Sequence, residues 1–293
     1  MQLFVNDLTV IDFSYLCPQR GIVGESWIVD ITLDGSLNDQ SMVLDFGRVK
    51  KQIKAIIDDS VDHKLAVPAE HPFTKVSRNQ DESGYWVDFM RPDNGSIHLF
   101  CPADAYAFVD ADEVTMDTVK AYLHGVIKRQ LPTNVEGLQL TLRAEQINGF
   151  YYHYTHGLKK HDGNCQRIAH GHRSAIQVYL NGMRTPRLEQ HWARKWEDIY
   201  VGSVEDVVMP DTMQLSEYGR ESVGDDHVCY SYQADQGLFE LAVPRTENTV
   251  IDTDSTVECI SNYLAATIKM AEPEADVKVI AYEGVGKGAI GYA

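Results

Sequence analysis

Positive charge is scarce in this sequence. The 293 residues include 26 Lys plus Arg against 43 Asp plus Glu, which gives a formal net charge of −17. Binding to nucleic acid relies on Lys and Arg that displace counterions from phosphates, so this balance argues against nucleic acid as the main partner. A small anionic substrate is still compatible, because a basic pocket can lie within an acidic protein.

Long apolar runs and paired cysteines are also missing. No run approaches the roughly 18 apolar residues of a transmembrane helix. The opening MQLFVNDLTVIDF has acidic residues among its apolar ones and no basic segment, so we expect no secretory signal and no membrane partner. The cysteines are odd in number and form no CxxC pair, which predicts a reduced, cytoplasmic protein rather than a disulfide framework. They are Cys17, Cys101, Cys165, Cys229 and Cys259.

The chain repeats itself. Two stretches, one starting at Tyr85 and the other at His227, each contain two alternating runs around an Asp/Asn/Gly turn, then a proline and an amphipathic segment. This pattern predicts a β-hairpin followed by a helix in both. Each half also ends in a strand that leads to a glutamate, Glu145 or Glu283.

The repeat predicts two copies of one α+β domain, residues 1–147 and 148–293, each ordered β-β-(α)-β-β-α-β. The copies differ in one segment. Residues 45–59 predict an amphipathic helix in the first copy, with Val49, Ile53, Ile56 and Ile57 on its apolar face. The second copy has a longer, Trp-rich segment at 183–224, for which the sequence predicts no structure.

Histidines are concentrated between Tyr152 and His172. His170 and His172 lie in an alternating segment, so their side chains share one face of the predicted strand, and Gly171 between them allows close approach. His156 on a neighbouring strand would complete a three-nitrogen zinc site with an open position, which is the catalytic arrangement. A closed structural site of these three histidines and Cys165 is the alternative. His153 and His161 are expected to be exposed.

Two further groups suit proton transfer. Cys165 lies in a polar loop, where zinc, Arg167 or a protonated imidazole would favour its thiolate, although an inert buried thiol is the alternative. Asp62 and His63 are adjacent, so the carboxylate can orient the imidazole. The same pair can equally be a helix cap or a solvated turn.

Five separated motifs, in order, resemble the 6-pyruvoyl-tetrahydropterin synthase and 6-carboxytetrahydropterin synthase family. They are MVLDFGRVKKQIKAIIDDSVDHKLAV, the aromatic-x-x-x-His-x-Leu run 152–158, the Cys165 loop with HGH at 170–172, STVECISNYLA, and AYEGVGKGAIGY. The resemblance implies the tunnelling fold (T-fold), an α+β fold with antiparallel four-stranded sheets, helices on one face and a barrel closed by oligomerisation. A tandem chain would then form a homo-oligomer of two, three or four chains.

The resemblance also assigns roles residue by residue. Zinc would be held by His156, His170 and His172. Cys165 would be the thiolate that abstracts a proton, with Asp62 and His63 completing the proton-transfer set. Glu283 would bind the pterin ring, and the segment containing Thr256 and Glu258 would frame it.

The two halves depart from the family in complementary ways. GIVGESW puts Val23 and Glu25 where the family has two histidines, and Cys17 falls near the third ligand position. The second half lacks a clear Asp-His segment, for which Asp226-His227 is a weak substitute. We therefore expect one composite site per chain, with zinc and Cys165 from the second half and Asp62-His63 from the first.

The substrate implied by the resemblance is 7,8-dihydroneopterin triphosphate, converted by a lyase to a pyruvoyl or carboxy pterin. We favour the carboxy type, which leads to queuosine and related deazapurine bases. Alternatives are a non-catalytic pterin or purine binder, and another T-fold enzyme such as a cyclohydrolase or a urate oxidase relative. Candidate triphosphate ligands are Arg167, Arg173, Lys159, Lys160 and Lys287.

Overall fold

The computed structural model describes the backbone of residues 1–293 and all side chains except those of Arg48 and Val49. The chain forms three β-sheets with helices packed against two of them, so the expected α+β class is confirmed. None of the helices in this description combines the length and apolar character needed to cross a membrane.

The first sheet is built from the first half of the chain. Its strand order is β7-β3-β1-β2-β8, and its centre is the long antiparallel hairpin of β1 and β2. The strands are β1 (Gln2–Cys17), β2 (Gly21–Gly35), β3 (Leu65–Pro68), β7 (Tyr106–Val109) and β8 (Val135–Ala144).

The second sheet is built from the second half. Its order is β16-β12-β9-β10-β17-β18, with β11 paired to β10, and its centre is the antiparallel pair β9 and β10. The strands are β9 (Phe150–His156), β10 (His170–Leu180), β11 (Met183–Arg184), β12 (Ile199–Ser203), β16 (Asn248–Ile251), β17 (Val277–Tyr282) and β18 (Gly288–Tyr292).

The third sheet joins the two halves. The predicted hairpins, β5-β6 and β14-β15, are both present, and they pair with each other through β6 and β15 in the order β13-β14-β15-β6-β5-β4. The strands are β4 (Thr74–Arg78), β5 (Tyr85–Phe89), β6 (Ile97–Cys101), β13 (Val207–Val208), β14 (His227–Ala234) and β15 (Gly237–Pro244).

Helical segments lie around the sheets. They are α1 (Phe46–Arg48), a π-helical turn (Val49–Ile53), α2 (Lys54–Ser60), α3 (Met116–Lys128), α4 (Pro186–Lys195), α5 (Glu217–Ser222) and α6 (Val257–Ala271). Of these, α2, α3, α4 and α6 pack against the first two sheets. The helix predicted over 45–59 corresponds to α1, the π-helical turn and α2. Ile53 and Ile57 are buried as expected, while the side chain of Val49 lies outside those described. The segment 183–224 contains β11, α4, β12, β13 and α5.

The expectation of purely antiparallel four-stranded sheets is wrong. β3 runs parallel to β1 and to β7, and β12 runs parallel to β9 and to β16, so the first two sheets are mixed and larger. A parallel neighbour needs a crossover connection, which the helical segments after β2 and β10 supply. These added strands are short, and β3 carries the Asp62-His63 pair at its entry.

The first two sheets meet at a pair of glycines. Side chains added at Gly24 on β2 or Gly171 on β10 would collide with the backbone of the opposite sheet. Beside them, Ser14 and Thr155 hydroxyls lie 2.7 Å apart and form a hydrogen bond. This close approach brings residues of β1 and β2 up against the histidines of β9 and β10.

Candidate active site

Three histidines converge at one end of the β9-β10 pair. His156 lies opposite His170 in the strand register, and His172 lies opposite Tyr154 two residues further along. One nitrogen of each imidazole lies within 4.8 Å of a nitrogen of the other two. All three side chains are buried, with at most 1 % of their surface exposed.

Backbone carbonyls fix the tautomers of two of these rings. His156 Nδ1 lies 2.8 Å from the carbonyl of Ser255, and His170 Nδ1 lies 2.8 Å from the carbonyl of Arg167. A carbonyl only accepts hydrogen bonds, so both Nδ1 atoms carry the proton and both Nε2 atoms keep a lone pair. Burial, reinforced by the neighbouring imidazoles, holds the pKa of His156 and of His170 well below 6.5, so both rings are neutral.

Buried nitrogens of this cluster have unused lone pairs. His156 Nε2 and His172 Nε2 make no hydrogen bond to any residue that the structure describes, whereas His172 Nδ1 faces the Asp12 carboxylate at 3.2 Å. Leaving buried polar atoms unpaired is costly, and a bound metal ion removes that cost. Three buried imidazoles, two of them oriented by backbone carbonyls, are a donor set typical of zinc and other imidazole-binding divalent ions. The residues therefore fit a metal ion.

The Asp62-His63 pair lies against this cluster. His63 has a positive φ of 54°, and its backbone N–H donates to the carbonyl of Asp12. Its Nδ1 lies 2.7 Å from Asp62 Oδ2, and its ring centroid lies 5.0 Å from that of His170. Burial alone would lower the pKa of His63, but hydrogen bonds with Asp62 and Cys165 raise it to about 10.

Cys165 lies on the same side. It belongs to the 3₁₀ turn Gly163–Gln166 and is half-buried, whereas the sequence predicts an exposed loop. Its Sγ lies within 4.8 Å of ring nitrogens of both His63 and His170. Cys165 therefore has an imidazole from each half of the chain within reach.

Asp12 is a site residue that sequence reasoning missed. The residue is 4 % exposed. Its carboxylate accepts a hydrogen bond from Ser26 and lies 3.2 Å from both His172 Nδ1 and Lys287 Nζ. Its backbone N–H donates to Asp62 Oδ1. Burial would raise the pKa of Asp12, but His172 and Lys287 hold it below its usual range. An acid in the apolar run TVIDFSYL is the only sequence feature that marks it.

Glu283 stands at the rim of the cluster. It follows β17, its carboxylate is 22 % exposed, and Oε1 lies 4.0 Å from His172 Nε2 while Oε2 lies 3.9 Å from Lys287 Nζ. Its backbone N–H donates to the carbonyl of Lys287, which closes a tight turn. The carboxylate can therefore face a ligand that lies over the histidines.

The other predicted site residues have different surroundings. Thr256 caps α6 by accepting from Cys259 N, and Glu258 is exposed in the first turn of that helix. His227 lies in the third sheet. Its Nδ1 is 2.8 Å from Asp226 Oδ1, and its Nε2 is 2.9 Å from the carbonyl of Ser96. Asp226-His227 therefore belongs to the hairpin sheet.

The candidate cations divide into two groups. Lys159 and Lys160 form ion pairs with Glu205 and other acids at the surface. Arg167 is buried beside the site, with Nη1 3.4 Å from the carbonyl of Asp62. Lys64, which the sequence did not single out, is also buried, and its pKa is lowered by burial and by Arg167. Arg173 lines a different pocket.

The register identifies the counterpart of the histidine cluster in the first half. Tyr15 lies opposite Val23 on β1 and β2, as His156 lies opposite His170, and Glu25 lies opposite Phe13, as His172 lies opposite Tyr154. The third counterpart is therefore Tyr15, and the expectation for Cys17 is wrong because Cys17 pairs with Gly21 at the end of the hairpin.

His153 is also placed differently from expectation. It is buried, with 9 % of its surface exposed, whereas the sequence predicts an exposed residue. Its Nδ1 donates to the carbonyl of Gly24 in the first sheet. His161 is exposed, as predicted.

Taken together, the site is a candidate metal centre flanked by a cysteine and an Asp-His pair in an α+β protein. Residues 17–148 match the family model described as 6-pyruvoyl tetrahydropterin synthase. Over this stretch, the match bears out the resemblance seen in the sequence. The matched stretch contains Asp62 and His63, whereas the three histidines lie beyond it.

Solved structures with similarity to this chain carry the same family description. One is a 6-pyruvoyl tetrahydropterin synthase from Plasmodium falciparum, 12 % identical, covering 48 % of this chain and 90 % of its own, with a TM-score of 0.40. Another, from Plasmodium vivax, is 12 % identical, covers 49 % of this chain and 97 % of its own, and has a TM-score of 0.38. No curated protein sequence matches the chain.

Proposed function

We propose that this chain is a zinc-dependent lyase of the tetrahydropterin synthase type that acts on 7,8-dihydroneopterin triphosphate. The match of residues 17–148 to the family model supports a tetrahydropterin synthase-like function. The observation that carries the finer assignment is the cluster of three buried imidazoles, one of which, His170, lies beside both Cys165 and His63. The histidines and the cysteine come from the second half and the Asp-His pair from the first, so the proposed site is composite.

His156, His170 and His172 would hold the metal. A bound zinc ion would act as a Lewis acid towards the hydroxyl groups of the substrate side chain. The chain's own contribution is to fix the rings: the carbonyls of Ser255 and Arg167 set two tautomers, and Asp12 faces the third ring. Such contacts to the ligands hold the rings in orientation and tune the affinity of the site for the metal.

Cys165 and His63 would move the protons. Cys165 as a thiolate would take a proton from the substrate side chain, and the protonated His63, oriented by Asp62, would return one. The hydrogen bonds of His63 with Asp62 and Cys165 raise its pKa, which favours the imidazolium form that this role requires. Both groups lie beside His170, so proton transfer would occur next to the polarised hydroxyls.

Substrate binding would use the rim of the cluster. Glu283 would accept two hydrogen bonds from the amino group and ring N–H of the pterin, which are charge-assisted contacts. Lys287, Arg167 and the buried Lys64 are the cations available for the triphosphate. Thr256 and Glu258 are assigned to the pterin frame by resemblance alone.

The finer assignments extend to product and assembly. We favour the carboxy product, a precursor of queuosine, and a cytoplasmic location. We also propose that residues 1–147 and 148–293 are two copies of the T-fold, supported by the equivalent register of their central hairpins. β7 and β8 end the first sheet, and β16 and β18 end the second, so these edges are available for barrel closure between chains.

The test is turnover of 7,8-dihydroneopterin triphosphate by the zinc-loaded full chain, with products identified by mass spectrometry. We expect a carboxy pterin, with triphosphate and the other two side-chain carbons released, the latter as a two-carbon aldehyde, and a fall of about a hundredfold to ten-thousandfold in Cys165→Ala at unchanged zinc content. Cys259→Ala, a half-buried cysteine on α6, is the matched control and should keep full activity. Pterin binding without turnover in the unmodified chain would instead establish a non-catalytic binder.

A further inference from the structure

Glu25, one of the three counterparts of the histidines in the first half, lines a cavity separate from the histidine cluster. This cavity, the counterpart pocket, has a volume of about 460 Å³. It lies where β1 and β2 of the first sheet meet β9, β10 and α4 of the second. Its lining includes Arg20, Glu25, Tyr151, His153, Arg173 and Arg194.

The buried acid-imidazole contact of the histidine cluster recurs here, again with the acid from the first half and the imidazole from the second. In the cluster, His172 of the second half faces Asp12 of the first at 3.2 Å. In the counterpart pocket, Glu25 of the first half faces His153 of the second, also at 3.2 Å. Glu25 and His153 are each about nine-tenths buried. With Val23 and Tyr15 in place of imidazoles, this pocket lacks the donor set of a zinc site.

Arginines dominate the lining of the counterpart pocket. Arg173 lies over the ring of Tyr151, with its Cζ 4.0 Å from the centroid, and donates to the carbonyl of Glu145. Arg194 is exposed on α4. Within the described part of the chain, neither forms an ion pair with a carboxylate, whereas Arg20 is held by Asp198. These two guanidinium groups thus line one cavity, together with the carboxylates of Glu25 and Glu197, in a chain of net charge −17.

The remaining groups make the cavity suitable for an anion. Burial raises the pKa of Glu25 to about 7, against the opposing effect of Arg173, and burial lowers the pKa of His153 to about 4. Glu25 is thus partly protonated near neutral pH, and His153 is uncharged. Arginine forks match the geometry of phosphate oxygens, and an aromatic face beside them accepts a planar ring.

We propose that the counterpart pocket is a second, metal-independent binding site for a small ligand that carries a phosphate group, with Arg173 and Arg194 as its anion ligands. Binding at this pocket is expected whether or not the histidine cluster turns over a substrate. A free polyphosphate and a phosphorylated heterocycle share this chemistry, and the two are separated by comparing inorganic tripolyphosphate with guanosine triphosphate.

Calorimetric titration of the zinc-loaded chain with tripolyphosphate, at constant ionic strength, tests the site. We expect saturable binding that weakens about tenfold or more in Arg194→Ala and in Arg173→Gln, the loss of one charge-assisted contact each. Arg187→Ala is the matched control: it lies on the same helix, is 74 % exposed, and pairs with Glu272. It should bind as the unmodified chain does.

Two further variants separate this site from alternatives. Glu25→Gln removes the carboxylate that competes with the ligand, so it should tighten binding, which a purely structural role of Glu25 would not do. His170→Ala should leave this binding intact. Tighter binding of guanosine triphosphate than of tripolyphosphate would indicate a heterocycle over Tyr151, and equal binding an inorganic ligand. Absence of binding, an affinity in both arginine variants equal to that of the unmodified chain, or loss only in His170→Ala would overturn the proposal.

Discussion

The two central hairpins of this protein share a backbone arrangement and differ in the side chains at equivalent register positions. β9 and β10 carry His156, His170 and His172, whereas β1 and β2 carry Tyr15, Val23 and Glu25. The strand that pairs in parallel with each hairpin is also preceded by a residue at positive φ, His63 before β3 and Asp198 before β12. Equivalent frames therefore hold a candidate metal centre on one side and an arginine-lined pocket on the other.

This difference shows that exchange of a few side chains is enough to change the chemistry of the frame. Valine offers no ligand atom, and a carboxylate facing an imidazole needs no metal to be satisfied. The glycine contact between the sheets is common to both sites, so each site draws residues from both halves. The two sites should therefore differ in metal binding and in their response to pH.

The largest effect is expected from removal of one imidazole of the cluster. His170→Ala leaves two ligands, so zinc bound per chain should fall from one to near zero, and turnover should fall to background. Metal content by atomic spectroscopy and the turnover assay measure this. His191→Ala, an exposed histidine on α4, should change neither. Full zinc content in His170→Ala would show that the metal binds elsewhere.

A smaller effect is expected from Asp12, which contacts the cluster from the other half. Asp12→Asn keeps the size but loses the charge facing His172 and Lys287. Loss of such a second contact typically weakens metal affinity about tenfold to a hundredfold, which competition with a chromophoric chelator would measure. Asp7→Asn on the same strand, where the acid pairs with Arg143, is the matched control. Equal affinities in both variants would remove Asp12 from the site.

A third effect concerns stability and pH at Glu25. Its pKa in the folded chain, about 7, exceeds its ordinary value of 4.5, mainly because of burial. Folding therefore favours the protonated form, and its contribution to stability is present below about pH 4.5 and lost as the pH rises through about 7. Glu25→Gln removes this dependence.

Urea unfolding of both chains at about pH 5 and about pH 8 measures that loss. The stability of the unmodified chain relative to Glu25→Gln should fall by up to about 3 kcal/mol between the two pH values. Burial lowers the pKa of His153, so its effect on stability has the opposite pH dependence. His153 is present in both chains, and the difference between them therefore reports on Glu25. A constant difference between the two chains would contradict a buried, proton-binding Glu25.

Much of the site is encoded locally and was therefore predictable. Alternation around Gly171 puts His170 and His172 on one face, and the adjacent Asp62 and His63 form their pair through neighbouring side chains. Hairpin turns are likewise local, so both hairpins of the third sheet were predicted.

Other features depend on contacts between distant segments. Asp12 and Lys64 become site residues only because β1 packs against β10 and β3 joins β1, and no local pattern encodes either contact. Cys17 was misplaced because the turn after β1 is short while the loop between β9 and β10 is long, so counting residues fails where strand register succeeds. The parallel strands β3 and β12 are too short for alternation to reveal them.

Anomalous diffraction at the zinc edge, from crystals of the zinc-loaded full chain, tests the central claim most directly. The account predicts one zinc peak per chain, among His156, His170 and His172 and beside Cys165 and His63, with no peak among Tyr15, Val23 and Glu25. A zinc peak in the counterpart pocket, or a histidine cluster without metal in crystals that contain excess zinc, would contradict it.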